Sequence, residues 1–382
     1  MQTSTTTGTG SFTLSGSVAN YRTFDSVLST GDTFWYSIVD NVNNAWECGL
    51  GTYSGSNVFA RTALTESSTG SAINFAAGTK NVFIDVPAAG FFSANNYLSD
   101  PTQFGPQFNP GGRLTLASGT PVTTSDQTAK TAVLYTPYIH NVCPVIENST
   151  RLVMAVFPET SYNLGTITSG KNYDVFAWSS GGVFSLYVEA WTNDTTRAVS
   201  LVNHTSFGFL VHSTNTYLRY LGTLRTTSTT TTEDSKAKRF LWNMYNRVPR
   251  EIRNYESTSS WSYGTSTWRA INNSTTNQVA FVNGLNESPV SVRATSQVTS
   301  SAGNTALVGL NLDATTGAPP TPYIGQIGGG GYSFFAQSQT IDYSDYAGLG
   351  YHYLQMMEYG GGTNTFYGGP SGAGTISGTT IA

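Results

Sequence analysis

Charged residues are scarce in this chain of 382 residues, where Lys, Arg, Asp and Glu together make up 10%. Ordinary globular domains carry about 25%. Thr, Ser, Asn and Gly must therefore wet the surface, which is typical of β-rich extracellular or virion proteins and unusual for cytosolic enzymes. The net charge of −4 excludes a generally basic surface, so we predict no binding to nucleic acid.

Cysteine and histidine are also sparse. The two cysteines, Cys48 and Cys143, lie far apart and belong to no CxxC motif, and the four histidines are scattered at His140, His204, His212 and His352. A disulfide framework needs more cysteines, and a structural zinc site needs a Cys/His cluster. We therefore predict no metal site and no cofactor.

Long apolar runs are missing too. No window approaches eighteen uninterrupted apolar residues, so we predict no membrane insertion. The N-terminal sequence MQTSTTTGTGSFTLSG has neither a basic region nor an apolar core, and no signal peptide is predicted. These features together predict a protein assembled in the cytoplasm and released by lysis.

Short strands with period-two alternation fill residues 11–87, separated by Gly, Ser and Asn turns. The candidate strands are SFTLSGSV, TFWYSIVD, AWECGLGTY, NVFARTAL and NVFIDVPA. Their spacing of roughly ten residues indicates a small β-module over 1–89. Within it, strand alternation predicts that Trp46 lies in the core and that Glu47 points outward.

The rest of the chain is predicted to be all-β as well. Three prolines and the pair Gly111-Gly112 predict an extended connector over 90–137. A larger antiparallel β-sandwich, jelly-roll-like, is predicted over 138–358, and a glycine-rich aromatic tail over 359–382. In the sandwich, NYDVFAWSSGGVFSLYVEAW predicts one hairpin, and SWSYGTSTWRAI predicts another that turns near Gly264.

The least generic stretch is Lys236 to Arg269, KAKRFLWNMYNRVPREIRNYESTSSWSYGTSTWR. Its aromatic faces and arginine forks are the groups that stack on sugars and hold anionic groups, which indicates a glycan-binding surface. The candidate residues are Trp261, Tyr263, Trp268, Arg247, Arg250 and Arg253. A structural interpretation stays open beside it, in which Trp242, Trp261 and Trp268 are core and the arginines pair with Glu233, Asp234, Glu251 and Glu256.

Carboxylates are candidates for glycoside hydrolysis, which needs two of them at roughly 5–9.5 Å separation. Asp342, Asp345 and Glu358 form one possible set, and Asp174 and Glu189 another. No motif singles out a pair, and other enzyme signatures such as GxSxG, HExxH and a Walker loop are absent. We therefore predict no catalytic residue.

The order of several motifs resembles virion fibre and structural proteins of tailed bacteriophages and prophages. The N-terminal string YRTFDSV, GDTFWYSIVD, FARTAL and SSTGSAINFAAGTKNVFIDVPA carries the resemblance, together with GGRLTLASGTPVTTSDQTAKTAVLYTPY, RFLWNMYNRVPR, SWSYGTSTWRAINN, NQVAFVNG and GYHYLQMMEYGGG. The resemblance implies a homotrimeric fibre, spike or decoration protein in the virion. It also implies attachment to other virion proteins through the N-terminal module and adsorption to bacterial surface polysaccharide.

Two other classes of function stay open at the level of sequence. A tailspike depolymerase acting on capsule or lipopolysaccharide is one, although the repeating β-solenoid pattern of many such spikes is missing. A cellular carbohydrate-binding adhesin is the other, although neither a signal peptide nor an anchoring motif accompanies it.

Overall fold

A computed structural model describes residues 1–85, 109–147, 151–301, 303–328, 336–369 and 373–382. The chain divides into two compact units, Met1–Asp100 and Pro101–Ala382. In the described residues the helical elements are three single 3-10 turns, Phe24–Ser26, Ile271–Asn273 and Thr321–Tyr323. The predicted all-β class is confirmed. None of the described helices is long and apolar enough to cross a membrane.

The N-terminal unit is built on one antiparallel sheet of six strands in the order β1-β6-β3-β4-β5-β2. The strands are β1 (Gln2–Ser4), β2 (Phe12–Thr13), β3 (Thr33–Asp40), β4 (Ala45–Gly55), β5 (Val58–Ser67) and β6 (Lys80–Ile84). One face of the sheet buries an aromatic core, which includes Phe12, Phe24, Phe34, Tyr36, Tyr53 and Phe59.

The prediction for Trp46 and Glu47 is wrong, because the two side chains exchange faces. Trp46 is 42% exposed, whereas Glu47 is 1% exposed and lies in the core row of β4. Buried Glu47 forms an ion pair with Arg61 at 2.9 Å and accepts hydrogen bonds from the Tyr36 hydroxyl at 2.7 Å and the Ile73 amide at 2.7 Å. A buried carboxylate is tolerated when it is paired and hydrogen-bonded in this way.

The second unit contains twenty-five strands in the described residues. They are β7 (Gly112–Thr115), β8 (Gln127–Lys130), β9 (Ala132–Pro137), β10 (Val142–Glu147), β11 (Arg151–Val156), β12 (Thr160–Asn163), β13 (Asn172–Ser180), β14 (Val183–Ala190), β15 (Leu201–Asn203), β16 (Leu210–His212), β17 (Arg219–Arg225), β18 (Thr232–Asp234), β19 (Lys238–Arg239), β20 (Leu241–Asn243), β21 (Pro249–Tyr255), β22 (Ser260–Tyr263), β23 (Arg269–Ala270), β24 (Gln278–Asn283), β25 (Val290–Ser300), β26 (Thr305–Leu312), β27 (Ile324–Gly328), β28 (Gln337–Asp345), β29 (Gly350–Gly361), β30 (Asn364–Tyr367) and β31 (Thr375–Ile381).

Two large sheets form a β-sandwich in the second unit. The eight-stranded sheet has the order β27-β26-β29-β24-β19-β18-β8, with β23 paired to β29. The six-stranded sheet has the order β21-β31-β25-β30-β22, with β28 paired to β25. Alternate residues of both sheets pack between them, among them Phe281, Leu310 and Leu354 from one sheet and Ile252, Val292 and Ile376 from the other.

A second core lies in the first half of this unit. It fills the space among the sheet β12-β9-β7, the pair β10-β11 and the sheet β14-β13-β17-β16-β15, to which β20 is added at β17. Trp242 on β20 is 1% exposed and packs with Tyr220 and with Val282 of β24. Trp242 therefore lies in a core, as the structural interpretation of the sequence stated.

The predicted boundaries at 137/138 and 358/359 differ from the structure. Strands β7, β8 and β9 fall in the predicted connector, and Leu114 and Tyr135 are core residues, because short strands between turns have the same Pro/Gly-rich appearance as a linker. Residues 90–108 of that connector lie outside the described residues. Beyond 358, β29 continues to Gly361, and β30 and β31 belong to the six-stranded sheet, so the predicted tail is a structural part of the sandwich.

One predicted hairpin is confirmed and the other is wrong. Strands β13 and β14 pair antiparallel from Tyr173 opposite Ala190 to Ser180 opposite Val183. In contrast, β22 pairs with β30 and β23 pairs with β29, so SWSYGTSTWRAI does not fold back on itself. Its two halves join different sheets of the sandwich.

Candidate functional site

Strand β21 separates two of the predicted glycan-binding arginines. Arg250 and Arg253 are three residues apart, and in a strand an odd spacing places side chains on opposite faces. Arg250 points inward with Ile252 and is 7% exposed, whereas Arg253 points outward with Glu251 and is exposed. The two residues therefore belong to different environments.

Arg250 completes a buried ion network. Its guanidinium pairs with Asp234 at 2.9 Å and donates to the Thr123 carbonyl at 2.9 Å and to the Thr123 hydroxyl at 2.8 Å. Arg239 pairs with the other oxygen of Asp234 at 3.2 Å. All the ionic partners of Arg250 are internal, so its role in the fold is structural.

Arg247 lies elsewhere, over the indole of Trp242 at 5.1 Å from the ring centroid. It also pairs with Glu287 at 2.8 Å. Because Trp242 is buried, Arg247 covers one edge of a core, and its ionic partner, Glu287, is an exposed residue of the same chain.

Trp261 faces a buried carboxylate at one end of the sandwich. Glu358 continues the inward row of β29 after Leu354 and Met356 and is 0% exposed. The Trp261 indole donates to Glu358 Oε2 at 2.7 Å, and Arg269 Nε donates to Oε1 at 2.7 Å. The indole also stacks on buried Phe366 with ring centroids 6.0 Å apart. Trp261 and Arg269 thus close the core over Glu358.

Tyr263 and Trp268 flank this group and are half-buried. The Arg269 guanidinium lies 3.7 Å from the Tyr263 ring centroid, so it covers one face of that ring. The Tyr263 hydroxyl donates to the Thr267 carbonyl at 2.8 Å. Trp268 packs on Tyr359 with ring centroids 5.7 Å apart.

The six predicted residues therefore do not form one platform. Trp261, Tyr263 and Trp268 gather near Glu358, while Arg247, Arg250 and Arg253 occupy three other places. Among the residues the structure describes, only Arg253 of the six is an exposed arginine without an ion pair.

Glu358 is the most buried of the candidate catalytic carboxylates. Burial raises the pKa of its carboxyl, and the hydrogen bonds from Trp261 and the charge of Arg269 oppose that rise. Its third donor is the Asn272 amide at 3.1 Å. Full burial and three donors, Trp261, Arg269 and Asn272, match a structural anchor.

The other candidate carboxylates are also engaged. Asp174 pairs with Arg197 at 2.5 Å and accepts from the Thr223 hydroxyl at 2.7 Å. Glu189 accepts from the Tyr187 hydroxyl at 2.5 Å, and Asp345 accepts from the Tyr346 amide at 2.7 Å. Asp342 forms an exposed bidentate pair with Arg293 at 2.7 and 3.1 Å.

Sequence reasoning missed the outward face of the six-stranded sheet, which we call the hydroxyl face. Arg253 lies on it, among Glu251, Tyr255, Ser291, Arg293, Thr295, Gln297, Ser338, Thr340, Asp342, Ser344, Tyr367, Thr375, Ser377 and Thr379. The signal was present in VSVRATSQVTS, where apolar residues alternate with polar ones and the polar set is mostly hydroxyl-bearing.

In the described part of the chain, no group of three or more His, Cys, Asp or Glu side chains is arranged so that it could hold a metal ion. Cys48 and Cys143 are free and buried. Burial raises the pKa of the Cys143 thiol to about 12. This thiol is therefore neutral and unreactive at ordinary pH.

No protein-family model matches the chain, and no curated protein matches it. Among solved structures, it is similar to the insecticidal delta-endotoxin Cry8Ea1 from Bacillus thuringiensis, with 8% identity and a TM-score of 0.21 over 92% of this chain and 52% of that one. It is also similar to the infectious bursal disease virus structure, Gx strain, with 12% identity and a TM-score of 0.18 over 69% and 78%. The chain thus spans about half the length of the endotoxin, and both likenesses are too weak to indicate a function.

Proposed function

We propose that this chain is a structural protein of a tailed-phage virion, of the fibre, spike or decoration class, and that it forms a homotrimer. It is assembled in the host cytoplasm, released by lysis, joined to other virion proteins through its N-terminal unit, and used in adsorption to bacterial surface polysaccharide. The ordered motifs that resemble phage virion proteins give this proposal its starting point.

One structural observation carries the proposal: the chain uses its few charges to lock strands together. Among the residues that the structure describes, four ion pairs have both side chains at most about a tenth exposed, namely Arg61–Glu47, Arg197–Asp174, Arg239–Asp234 and Arg250–Asp234. A catalytic protein keeps some of its perturbed carboxylates and cations open to a cleft. In these four pairs the charges are buried and paired, which supports a role that demands durability rather than turnover.

Immunogold electron microscopy tests the virion assignment. Antibodies raised against the recombinant chain are applied to phage particles purified from the source culture, with an antibody against the major capsid protein as the positive control. We expect gold label on fibres, spikes or the shell surface. Particles that bind the capsid antibody and carry no label for this chain contradict the proposal.

The oligomeric state is measured separately by sedimentation equilibrium of the purified chain. A homotrimer has a mass of about 122 kDa, three times the 40.8 kDa of one chain. Closed cyclic symmetry is the usual arrangement of such assemblies. A mass of one chain at all concentrations contradicts the trimeric part of the proposal. It does not test the virion assignment, which the immunogold experiment tests.

A further inference from the structure

We infer that the hydroxyl face is a binding site for an anionic polysaccharide. The inference deepens the adsorption role and rests on that proposed function for its setting, but it names a surface and a ligand chemistry that the predicted residues did not. Of those residues, only Arg253 lies on the hydroxyl face.

The register of the sheet arranges the face in rows that cross four strands, β21, β31, β25 and β28. One row is Glu251, Thr379, Ser291 and Ser344; the next is Arg253, Ser377, Arg293 and Asp342; and the third is Tyr255, Thr375, Thr295 and Thr340. Neighbouring strands are about 4.8 Å apart, so a row extends roughly 14 Å, and successive rows are about 6.8 Å apart. A regular polar array of this size fits an extended polymer rather than a small molecule.

The inward rows confirm the orientation of the face. Ile252, Val292 and Tyr343 alternate with the outward residues and are at most 4% exposed. Outward, Arg293 and Asp342 have side chains 64% and 63% exposed, and Tyr255 is 38% exposed. The side chains of Arg293, Asp342 and Tyr255 therefore meet solvent above the sandwich core, whereas the Thr375 hydroxyl on the same face is buried.

The chemistry of the face is suited to sugars. A hydroxyl both donates and accepts hydrogen bonds, as sugar hydroxyls do. In the described part of the chain, the hydroxyls of Thr295, Thr340, Ser377 and Thr379 have no side-chain hydrogen bond, so they are available to a ligand. Tyr255 supplies a ring with one apolar body and one polar tip, the kind of surface on which a pyranose packs.

The charge of the face selects an anionic ligand. Glu251 is neutralised by Lys236 at 2.9 Å, and Asp342 is neutralised by Arg293 at 2.7 Å. Arg253 has no ion pair among the described residues, so one positive charge remains on the face of a chain whose net charge is −4. A guanidinium binds carboxylate or phosphate with two parallel hydrogen bonds. Charge complementarity therefore favours an acidic polysaccharide over a neutral one.

The experiment measures binding of the full chain to polygalacturonate, phosphomannan and neutral dextran by affinity gel electrophoresis. The first two polymers distinguish carboxylate from phosphate as the recognised anion, and dextran measures binding without charge. The test variant is Arg253→Ala/Tyr255→Ala. The matched control is Tyr21→Ala/Arg22→Ala, which removes an exposed tyrosine and an exposed arginine from the N-terminal unit.

We expect at least one anionic polymer to bind the wild type more tightly than dextran does. We expect the Arg253/Tyr255 variant to bind that polymer about tenfold more weakly, which corresponds to about 1.4 kcal/mol, and the control variant to bind like the wild type. Raising the ionic strength from about 0.01 M to about 0.15 M shortens the Debye length from roughly 30 Å to 8 Å and should weaken binding.

Three binding results overturn the inference. They are absence of binding to both anionic polymers, equal binding to dextran, and equal losses in the test and control variants. Sedimentation of both variants is measured in parallel. If the wild type is an oligomer and Arg253→Ala/Tyr255→Ala dissociates it, the hydroxyl face is a subunit contact and the inference is overturned. None of these outcomes bears on the immunogold result, so this inference and the virion assignment fail independently.

Discussion

Arg250 and Arg253 test whether one strand carries a structural arginine on its inner face and a surface arginine on its outer face. They lie three residues apart on β21, and the same substitution, Arg to Met, keeps most of the aliphatic stem in both cases. Arg250→Met removes the guanidinium from the buried network with Asp234 and Thr123, while Arg253→Met changes a solvent-facing position.

The magnitude follows from burial. Both side chains of the Arg250–Asp234 pair are less than a tenth exposed, and breaking such a pair by removing one partner costs about 3–5 kcal/mol. Two effects favour the lower end of that range. Arg239 still neutralises Asp234 in the variant. In addition, burial and the charge of Arg250 lower the pKa of nearby Arg113 to about 10, so Arg113 loses a repulsive neighbour when Arg250 is replaced.

The assay is thermal unfolding followed by circular dichroism. A loss of about 3–5 kcal/mol lowers the Tm by roughly 6–20 °C, at roughly 2–4 °C per kcal/mol for domains of this order of size. Arg253→Met should change stability by no more than about 0.5 kcal/mol, as exposed substitutions usually do. Equal Tm values for Arg250→Met and the wild type, or equal losses in the two variants, refute the reasoning.

The remaining predictions concern single contacts. Trp261→Phe removes a donor from buried Glu358 and should destabilise the chain by about 1–3 kcal/mol in urea unfolding; an unchanged midpoint contradicts the anchor role. Burial raises the pKa of Glu159, but hydrogen bonds from Ser118, Thr136 and Gly119 outweigh it, so the pKa is lowered from 4.5. Its stabilisation is therefore present above that value and lost as pH falls through the lowered pKa. Glu159→Gln should thus be less stable than the wild type at about pH 7, and the difference in unfolding free energy should narrow as the pH falls below 4.5; a difference that does not narrow contradicts this. A Cβ on Gly378 would lie 2.0 Å from a carbonyl oxygen of β25. Gly378→Ala should cost about 1–3 kcal/mol, whereas Gly10→Ala, which has open space, serves as the control in the same unfolding assay.

Local patterns predicted the parts of the fold that local physics determines. The hairpin of β13 and β14 turns at Gly181 and Gly182, both with positive φ, and strict alternation on either side predicts its register. The all-β class follows from the same alternation repeated along the chain. The paired residues of this hairpin are at most 17 positions apart, as Tyr173 and Ala190 are.

Partner choice between distant strands was not predictable in this way. Strands β22 and β23 are adjacent in sequence, and their hydrogen-bonding partners, β30 and β29, come about ninety residues or more later. Nothing local distinguishes a hairpin from two strands that diverge to different sheets. The position of Trp261 was not predictable for the same reason, since its strand pairs with distant β30 and Trp261 packs inward beside Phe366.

The arginines of β21 show a part of the site that was predictable. The strand period of two already places Arg250 and Arg253 on opposite faces, and the apolar neighbour Ile252 marks the inward side. The prediction of a glycan-binding surface relied on the high density of arginine and aromatic residues alone, and it therefore placed both arginines in one site. Asp234 lies on β18, so the structure is needed to show that Arg250 is the one of these two arginines that pairs with it.

Strand β31 lies between β21 and β25, two strands that end 75 residues or more before it begins. The six-stranded sheet therefore cannot close until the intervening chain, which includes β26 to β30, has been ordered, and folding dominated by such non-local pairings is slow. Contacts that form only after the transition state slow unfolding rather than speed folding. A sheet closed in this way is expected to be kinetically persistent, with a lifetime set by the barrier to extracting β31 more than by the free energy of unfolding.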